Sequence, residues 1–294
     1  MIRRLRIPVA AAAALLVMTA CSASPSGDGT NSADAGEWTT IQTAARYDYD
    51  EVFEALNAEL ESEHIKVVNT AYDTSINLNE LLLEGDIDIN VAQHRAYLSY
   101  VQASDAKFAD LTSIGDIHIS TLDLYSEKYD SVDALPDGAT VAIPNDVLNG
   151  GRALLILAAN DVIGLDTDYE VFPTVENINS NPSDLEFEEI PSDTMVRTLE
   201  DVDAGFVYSI NAVDGGLDPT TDPILKNGLD FANDPFQLNF VIVFTVRGED
   251  KDDPVLAKVV DAYHSDRVAR VYKELYAGSL LPVNAGKLVD LSGL

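Results

Sequence analysis

The chain has 294 residues, 18 Lys and Arg against 50 Asp and Glu, a formal net charge of −32 and one cysteine. This length predicts about two domains, and 46% hydrophobic content excludes a wholly disordered acidic chain. The charge balance argues against nucleic acid as a partner, because phosphate binding needs clustered Lys and Arg. A lone cysteine excludes an intramolecular disulfide framework and a Cys-based zinc cage.

In chain order, Arg3, Arg4 and Arg6 come first. Residues 7–20 follow, uncharged and rich in Ala, Leu and Val. This run is shorter than the ~20 apolar residues of a membrane span and fits a secretory signal. It ends Met18-Thr19-Ala20-Cys21, which resembles a bacterial lipobox. Residues 1–21 are therefore expected to be a lipoprotein signal peptide, with Cys21 as the lipid attachment site. The alternative is an ordinary signal peptide with an incidental cysteine. The lipid reading is preferred because the chain's only Cys falls where that signal needs it. Residues 22–36, small and rich in Ser, Gly and Asp, read as a flexible tether. Loss of Arg3, Arg4 and Arg6 would change the net charge from −32 to −35.

Residues 39–45 read as a strand. Residues 48–63 read as a helix, with Val52, Leu56 and Leu60 recurring on one face. A strand is expected at 65–68, a helix at 78–83 ended by Gly85, and a strand at 87–90. Alternation of this kind points to an α/β architecture with mostly parallel pairing. A longer strand is expected at 117–125, a turn at Asp137-Gly138 and a buried strand at 139–143 stopped by Pro144. A buried helix at 152–160, a helix at 194–199 and strands at 205–208 and 240–246 follow. Residues 254–276 read as one long amphipathic helix opened by Pro254. The two long strands, near 117–125 and 238–246, suit two lobes joined by two crossing strands. Lobe 1 would be discontinuous, 37–121 plus 240–294, and lobe 2 would be 122–239.

The strongest local site signal is the stretch 144–152, PNDVLNGGR. A strand stops at proline, a Gly-rich loop follows, and a helix is expected to open with Arg152 in its first turn. A helix N-terminus favours an anion, and an arginine fork can hold a carboxylate through two parallel hydrogen bonds. The bland alternative is a surface arginine paired with one of many acids. His64, His94, His118 and His264 are scattered without metal-ligand spacing. The acidic groups Asp86/Asp88, Asp166/Asp168 and Glu249/Asp250/Asp252/Asp253 do not match a calcium loop. There is no Gly-x-Ser-x-Gly elbow and no cysteine nucleophile beyond the leader. No catalytic residue, metal or cofactor is expected, and the chain does not read as an enzyme.

Several segments, in order, resemble the NlpA family of methionine-binding lipoproteins, the substrate-binding components of ABC importers. They are residues 84–90 (EGDIDIN), 93–98 (QHRAYL), 125–129 (YSEKY), 135–146 (LPDGATVAIPND), Asn149 with 151–155 (GRALL), 181–185 (NPSDL) and 199–204 (LEDVDA). The resemblance implies a type II periplasmic-binding-protein-like fold of two α/β lobes, with ligand in the cleft and closure by hinge motion. It implies that Arg152, in the stretch with Asn149, grips an amino-acid carboxylate. It also implies that Tyr72, His94 and Tyr97 line the pocket; aromatic contacts suit a thioether. Its further implications are lipid anchoring at the extracytoplasmic face of the cell membrane and partnership with a permease and an ATPase.

Departures from the family pattern are Ala92 in place of an aromatic residue, Tyr208 in place of Asn with Asn211 three residues on, and Asn239 near a second Asn position. The family's Gly-Pro-like loop is replaced by residues 44–48, AARYD. Tyr208, Asn211 and Asn239 are the candidates for receiving the amino group. The rivals are a same-fold binder of another organic anion or a short peptide, and a surface lipoprotein acting as an adhesin or extracellular hydrolase. The large negative charge would repel a carboxylate ligand, so Arg152 would have to act locally.

Overall fold

The computed structural model describes residues 37–73, 75–166, 172–228, 234–276 and 278–294. The expected signal peptide, Cys21, the 22–36 tether and Asp168 lie outside the described residues.

The first elements are β1 (Thr39–Ala45), α1 (Asp50–Leu60), β2 (Ile65–Ala71), α2 (Leu78–Glu84), β3 (Ile89–Asn90), α3 (Arg95–Ser104) and β4 (Thr112–Asp116). Helix α1 buries Val52, Phe53, Leu56 and Leu60 and keeps acids in its first turn. Helix α2 is capped by Asn77, which accepts from the Asn79 N–H, and ends at Gly85 with φ +80°. That left-handed cap is cheap only without a Cβ.

The chain continues through β5 (His118–Ser120), β6 (Leu122–Tyr125), β7 (Thr140–Pro144), α4 (Val147–Ala159), β8 (Gly164–Leu165), β9 (Ile178–Ser180), β10 (Glu186–Ile190), α5 (Met195–Thr198), β11 (Ala204–Tyr208) and α6 (Ser209–Asp214). It closes with β12 (Val243–Val246), α7 (Pro254–Tyr263), α8 (Asp266–Leu275), β13 (Leu280–Asn284) and β14 (Lys287–Leu288).

The fold is a two-lobed α/β architecture. One sheet runs β2-β1-β3-β12-β4, with β1 parallel to β2 and β3, and β12 antiparallel to both its neighbours. The second runs β10-β7-β11-β6, parallel except for β6. Each sheet has its own apolar core. Leu56, Ile65, Val67, Ile89, Phe244 and Val259 belong to the first. Leu124, Val141, Leu154, Leu157 and Phe206 belong to the second.

Several expected elements come out differently. The strand expected at 240–246 begins only at Val243, after a helical turn at Pro235–Phe240. The single strand expected at 117–125 comes out as β5, which pairs with β13 in a small sheet, and β6, which joins the second sheet, with Ile117 and Thr121 outside both. The breaks follow from partners: Ile117 N–H donates to Ile242 and its carbonyl accepts from Val283, while the Thr121 carbonyl accepts from Ser209. The long helix at 254–276 is interrupted because Ser265 caps α8, accepting from the Val268 N–H. Helix α4 begins five residues before Arg152, because Asp146 caps it.

Candidate functional site

Helix α4 starts where Asp146 Oδ1 accepts from the Asn149 N–H at 2.9 Å. Arg152 is therefore in the second turn rather than the first. Gly150 and Gly151 are helical rather than a ligand-cradling loop. A Cβ on Gly150 would lie 2.6 Å from the Pro144 carbonyl oxygen, and one on Gly151 2.6 Å from Phe172 Cβ. The glycines thus let the chain's own backbone and Phe172 pack closely against α4. The helix cap is already filled by Asp146, so attraction for an anion falls to the Arg152 side chain.

That side chain is 3% exposed. Its Nη2 donates to the Ser120 carbonyl at 3.1 Å, and its guanidinium carbon stands 4.5 Å from the centre of the Phe240 ring. The Tyr208 phenol lies close enough for the two side chains to interact electrostatically. Among the described residues its Nε–H has no partner. Burial pulls its pKa below the usual arginine value, opposed by Tyr208 and by the charge of Asp123. Asp123 is occupied elsewhere, accepting from Thr121 Oγ1 at 2.6 Å and from the Asn227 N–H at 2.6 Å. Among the described residues no carboxylate forms an ion pair with Arg152. A guanidinium remains charged even when buried, so this site carries an uncompensated cation with a donor to spare.

His94 caps α3, and its Nδ1 accepts from the Tyr97 N–H at 3.0 Å. The ring proton must then sit on Nε2, which lies 3.3 Å from Asn149 Oδ1. Asn149 Nδ2 in turn donates to the Asp146 carboxylate at 3.0 and 3.1 Å. This chain of hydrogen bonds links the start of α3 to the start of α4. Burial, followed by the nearby Arg152 charge, lowers the His94 pKa to about 4, so the imidazole is neutral at physiological pH.

Aromatic rings surround the pair. His94 and Phe240 are 5.5 Å apart, and Phe172, Phe236 and Phe240 meet one another at 5.7–5.8 Å. Tyr97 lies 6.3 Å from His94 and is 39% exposed. A small apolar cluster of Ile119, Leu148, Phe172, Phe240, Val241 and Val283 draws on β5, α4 and β13.

Of the residues singled out in the sequence, Arg152, Tyr208, Asn149, His94 and Tyr97 are brought together. Asn239 sits half-buried next to Phe240 in the turn Pro235–Phe240. Tyr72 is half-buried and packs against the cluster of Ala44, Leu78 and Leu82, as does Ala92. Asn211 accepts from the Tyr47 hydroxyl at 2.8 Å and donates to the Ser192 carbonyl at 2.9 Å. Sequence reasoning missed Ser120, Phe172, Phe236, Phe240 and Tyr47. Phe240 opens an apolar run and Gly151 marks a close approach, but nothing local names Phe172 as its neighbour. Among the described residues no group of three or more His, Cys, Asp or Glu could hold a metal ion. Likewise no described helix is long and apolar enough to cross a membrane.

The chain is similar to several known proteins. The sequence profile described as NlpA lipoprotein matches residues 42–284. The membrane lipoprotein TpN32 of Treponema pallidum is 30% identical over 227 residues, 77% of this chain and 81% of that protein. The D-methionine-binding lipoprotein MetQ of Escherichia coli K12 is 33% identical over 202 residues, 68% of this chain and 71% of that protein. A Burkholderia cenocepacia nutrient binding protein bound to methionine superposes with a TM-score of 0.74 at 31% identity, covering 83% of this chain and 99% of that one. The substrate binding protein of a Streptococcus pneumoniae methionine transporter gives 0.75 at 27% identity, covering 84% and 97%.

Proposed function

The chain belongs to the NlpA lipoprotein family, and on that premise we propose that it binds methionine or a related amino acid in a cleft between its lobes and delivers it to an ABC permease. It is a substrate-binding protein and not an enzyme. The observation that carries the ligand reading is Arg152: a buried guanidinium that, among the described residues, has a free Nε–H and no carboxylate paired with it. Burying an unpaired cation is costly, and an incoming carboxylate supplies the missing charge and acceptors together.

In this reading Arg152 takes the ligand carboxylate while the Ser120 carbonyl holds its guanidinium in place and the Tyr208 phenol lies beside it. Phe240 stacks on the guanidinium, and His94 and Tyr97 border the side-chain end, with Tyr72 beyond them. Asn149 keeps His94 in the tautomer that donates from Nε2. The ligand's amino group is assigned to the polar groups of Tyr208 or Asn239. Lobe 1 is taken as 37–121 plus 240–294 and lobe 2 as 122–239; the strands of the two large sheets fall on either side of these bounds. The anchor is assigned to a lipid on Cys21, with the body on the extracytoplasmic face. Relatives named membrane lipoprotein and outer membrane lipoprotein support that placement.

Calorimetry and thermal shift with L-methionine, D-methionine, other amino acids and short peptides test the ligand. A methionine-dependent rise in melting temperature is expected, since a ligand that binds only the native state stabilises it. No shift with any amino acid would overturn the assignment. Ala92 and Tyr208 favour a second reading, a same-fold binder of a different organic anion or a short peptide. A shift produced only by those compounds would support it.

A further inference from the structure

The loop between β1 and α1 carries Arg46 and Tyr47. Tyr47 is rooted in the first lobe, where its ring meets Tyr49 at 6.2 Å edge-on. Tyr49 in turn meets His118 on β5 at 5.6 Å and Tyr276 at 6.4 Å. From this aromatic base the Tyr47 hydroxyl reaches out of its own lobe and donates to Asn211 Oδ1 at 2.8 Å. Asn211 belongs to α6, which follows directly from β11 in the second lobe's sheet. Its amide orientation is set by the other end, because Nδ2 donates to the Ser192 carbonyl at 2.9 Å. Tyr208, whose phenol lies close to Arg152, is three residues earlier, at the N-cap of the same helix.

We infer that Tyr47 and Asn211 form a clasp that holds the two lobes together beside Arg152 and slows the departure of bound ligand. The inference rests on the reading that ligand sits between the lobes. Any separation of the lobes at this point must break the Tyr47–Asn211 hydrogen bond. A contact made only after closure acts on the dissociation rate and leaves the association rate nearly untouched. The clasp acts beside contacts that already seat the start of α6 on the first lobe, namely Ser209 Oγ donating to the Ser279 carbonyl and Ile210 buried in the first core, and extends that hold to Asn211. Asn211 is thereby a positioning residue rather than a direct ligand of the amino group. The neighbouring link, His94 to Asn149, is a separate lobe-to-lobe contact and stays in place when the clasp is removed.

Two measurements on the full chain carrying Cys21→Ser test this. The first uses stopped-flow kinetics with L-methionine on wild type, Tyr47→Phe, Asn211→Ala and the double variant. Tyr47→Phe keeps the ring and its packing and removes only the hydroxyl. Its dissociation rate should rise roughly 2- to 10-fold, the range expected for one lost net hydrogen bond, with association unchanged. The double variant should be no worse than the more affected single variant. The second places spin labels on cysteines introduced at the exposed Glu54 and Glu200 and reads the interlobe distance without added ligand. Tyr47→Phe should extend the distribution to longer separations. Unchanged dissociation and distance in Tyr47→Phe would overturn the clasp. So would an Asn211→Ala loss of affinity that is just as large in the Tyr47→Phe background, because it would mark Asn211 as a ligand contact. Failure of wild type to bind methionine would overturn the ligand reading alone, and the distance measurement would still decide the clasp.

Discussion

Two arginines in this acidic chain, Arg152 buried and Arg247 half-buried, have opposite surroundings. Arg247, just after β12, donates from Nη1 to the carbonyls of Leu82 and Ile87 at 2.8 and 2.9 Å and pairs with Asp250 at 2.6 Å and Asp88 at 3.8 Å. Its side chain is 21% exposed, and its fork is filled by groups that tie α2 and β3 to the end of β12. Arg152 is more deeply buried, yet it has one carbonyl acceptor and an aromatic face, and among the described residues no carboxylate pairs with it. With 50 acidic residues available, the missing partner is not a matter of supply. A guanidinium that holds structure is saturated by the chain; one that awaits a ligand is left short of acceptors.

The sharpest way to break this contrast is to exchange the consequences of losing each residue. Arg152→Ala should weaken methionine binding about 100-fold or more in calorimetry, on the order of 3 kcal/mol. Its melting temperature should hold or rise, because an uncompensated buried charge is removed. Arg247→Ala should do the reverse, losing about 2–3 kcal/mol of stability in chemical denaturation as two carbonyls lose their donor. Its methionine affinity should stay within a few-fold. If Arg152→Ala unfolded the chain and Arg247→Ala abolished binding, the contrast would collapse.

A smaller effect is expected from acid. Above pH ~6.5 His94 is neutral in both folded and unfolded chains and costs nothing. Its folded pKa is lowered to about 4, by burial and by the Arg152 charge, with Asp146 reaching it only through Asn149. Between those values the unfolded chain takes up a proton that the folded chain refuses, so stability is lost as pH falls through that window. His94→Asn keeps a capping side chain and removes the titration. Melting temperature should therefore fall less steeply with acid in that variant. A residual slope should come from His118, whose pKa burial lowers to about 3. Identical slopes in the two proteins would show that the imidazole at the Arg152 site does not titrate as its burial requires.

Much of the fold was legible where one side chain periodicity meets one partner. Val52, Leu56 and Leu60 announced α1, and they are the residues that α1 buries. Legibility failed where tertiary partners decide. Nothing in the run 117–125 tells that Ile117 and Thr121 bond to different parts of the chain. Gly150 and Gly151 suggested a loop because glycine is ambiguous between flexibility and close packing, and only Pro144 and Phe172 resolve it. Within the site, Arg152 stood out as an arginine expected in the first turn of a helix behind a Gly-rich stretch. Its fuller setting was hidden because Ser120, Phe172 and Phe240 reach it from distant segments. Tyr47 carried no pattern at all, since its partner Asn211 is 164 positions away.

The placing of β12 between β3 and β4 has a consequence for how the molecule is made. The four strands of the second sheet all lie between Leu122 and Tyr208, so that sheet can be finished while the rest of the chain is still being synthesised. The first sheet cannot. Until Val246 has emerged, β2-β1-β3 and β4 are two fragments, each with an open edge facing the gap. Open edges are templates for wrong pairing, and contacts across such long separations form slowly. The last third of the chain therefore acts as the keystone for the first, and a nascent chain halted before residue 243 would present an intact second lobe beside an unfinished, association-prone first one.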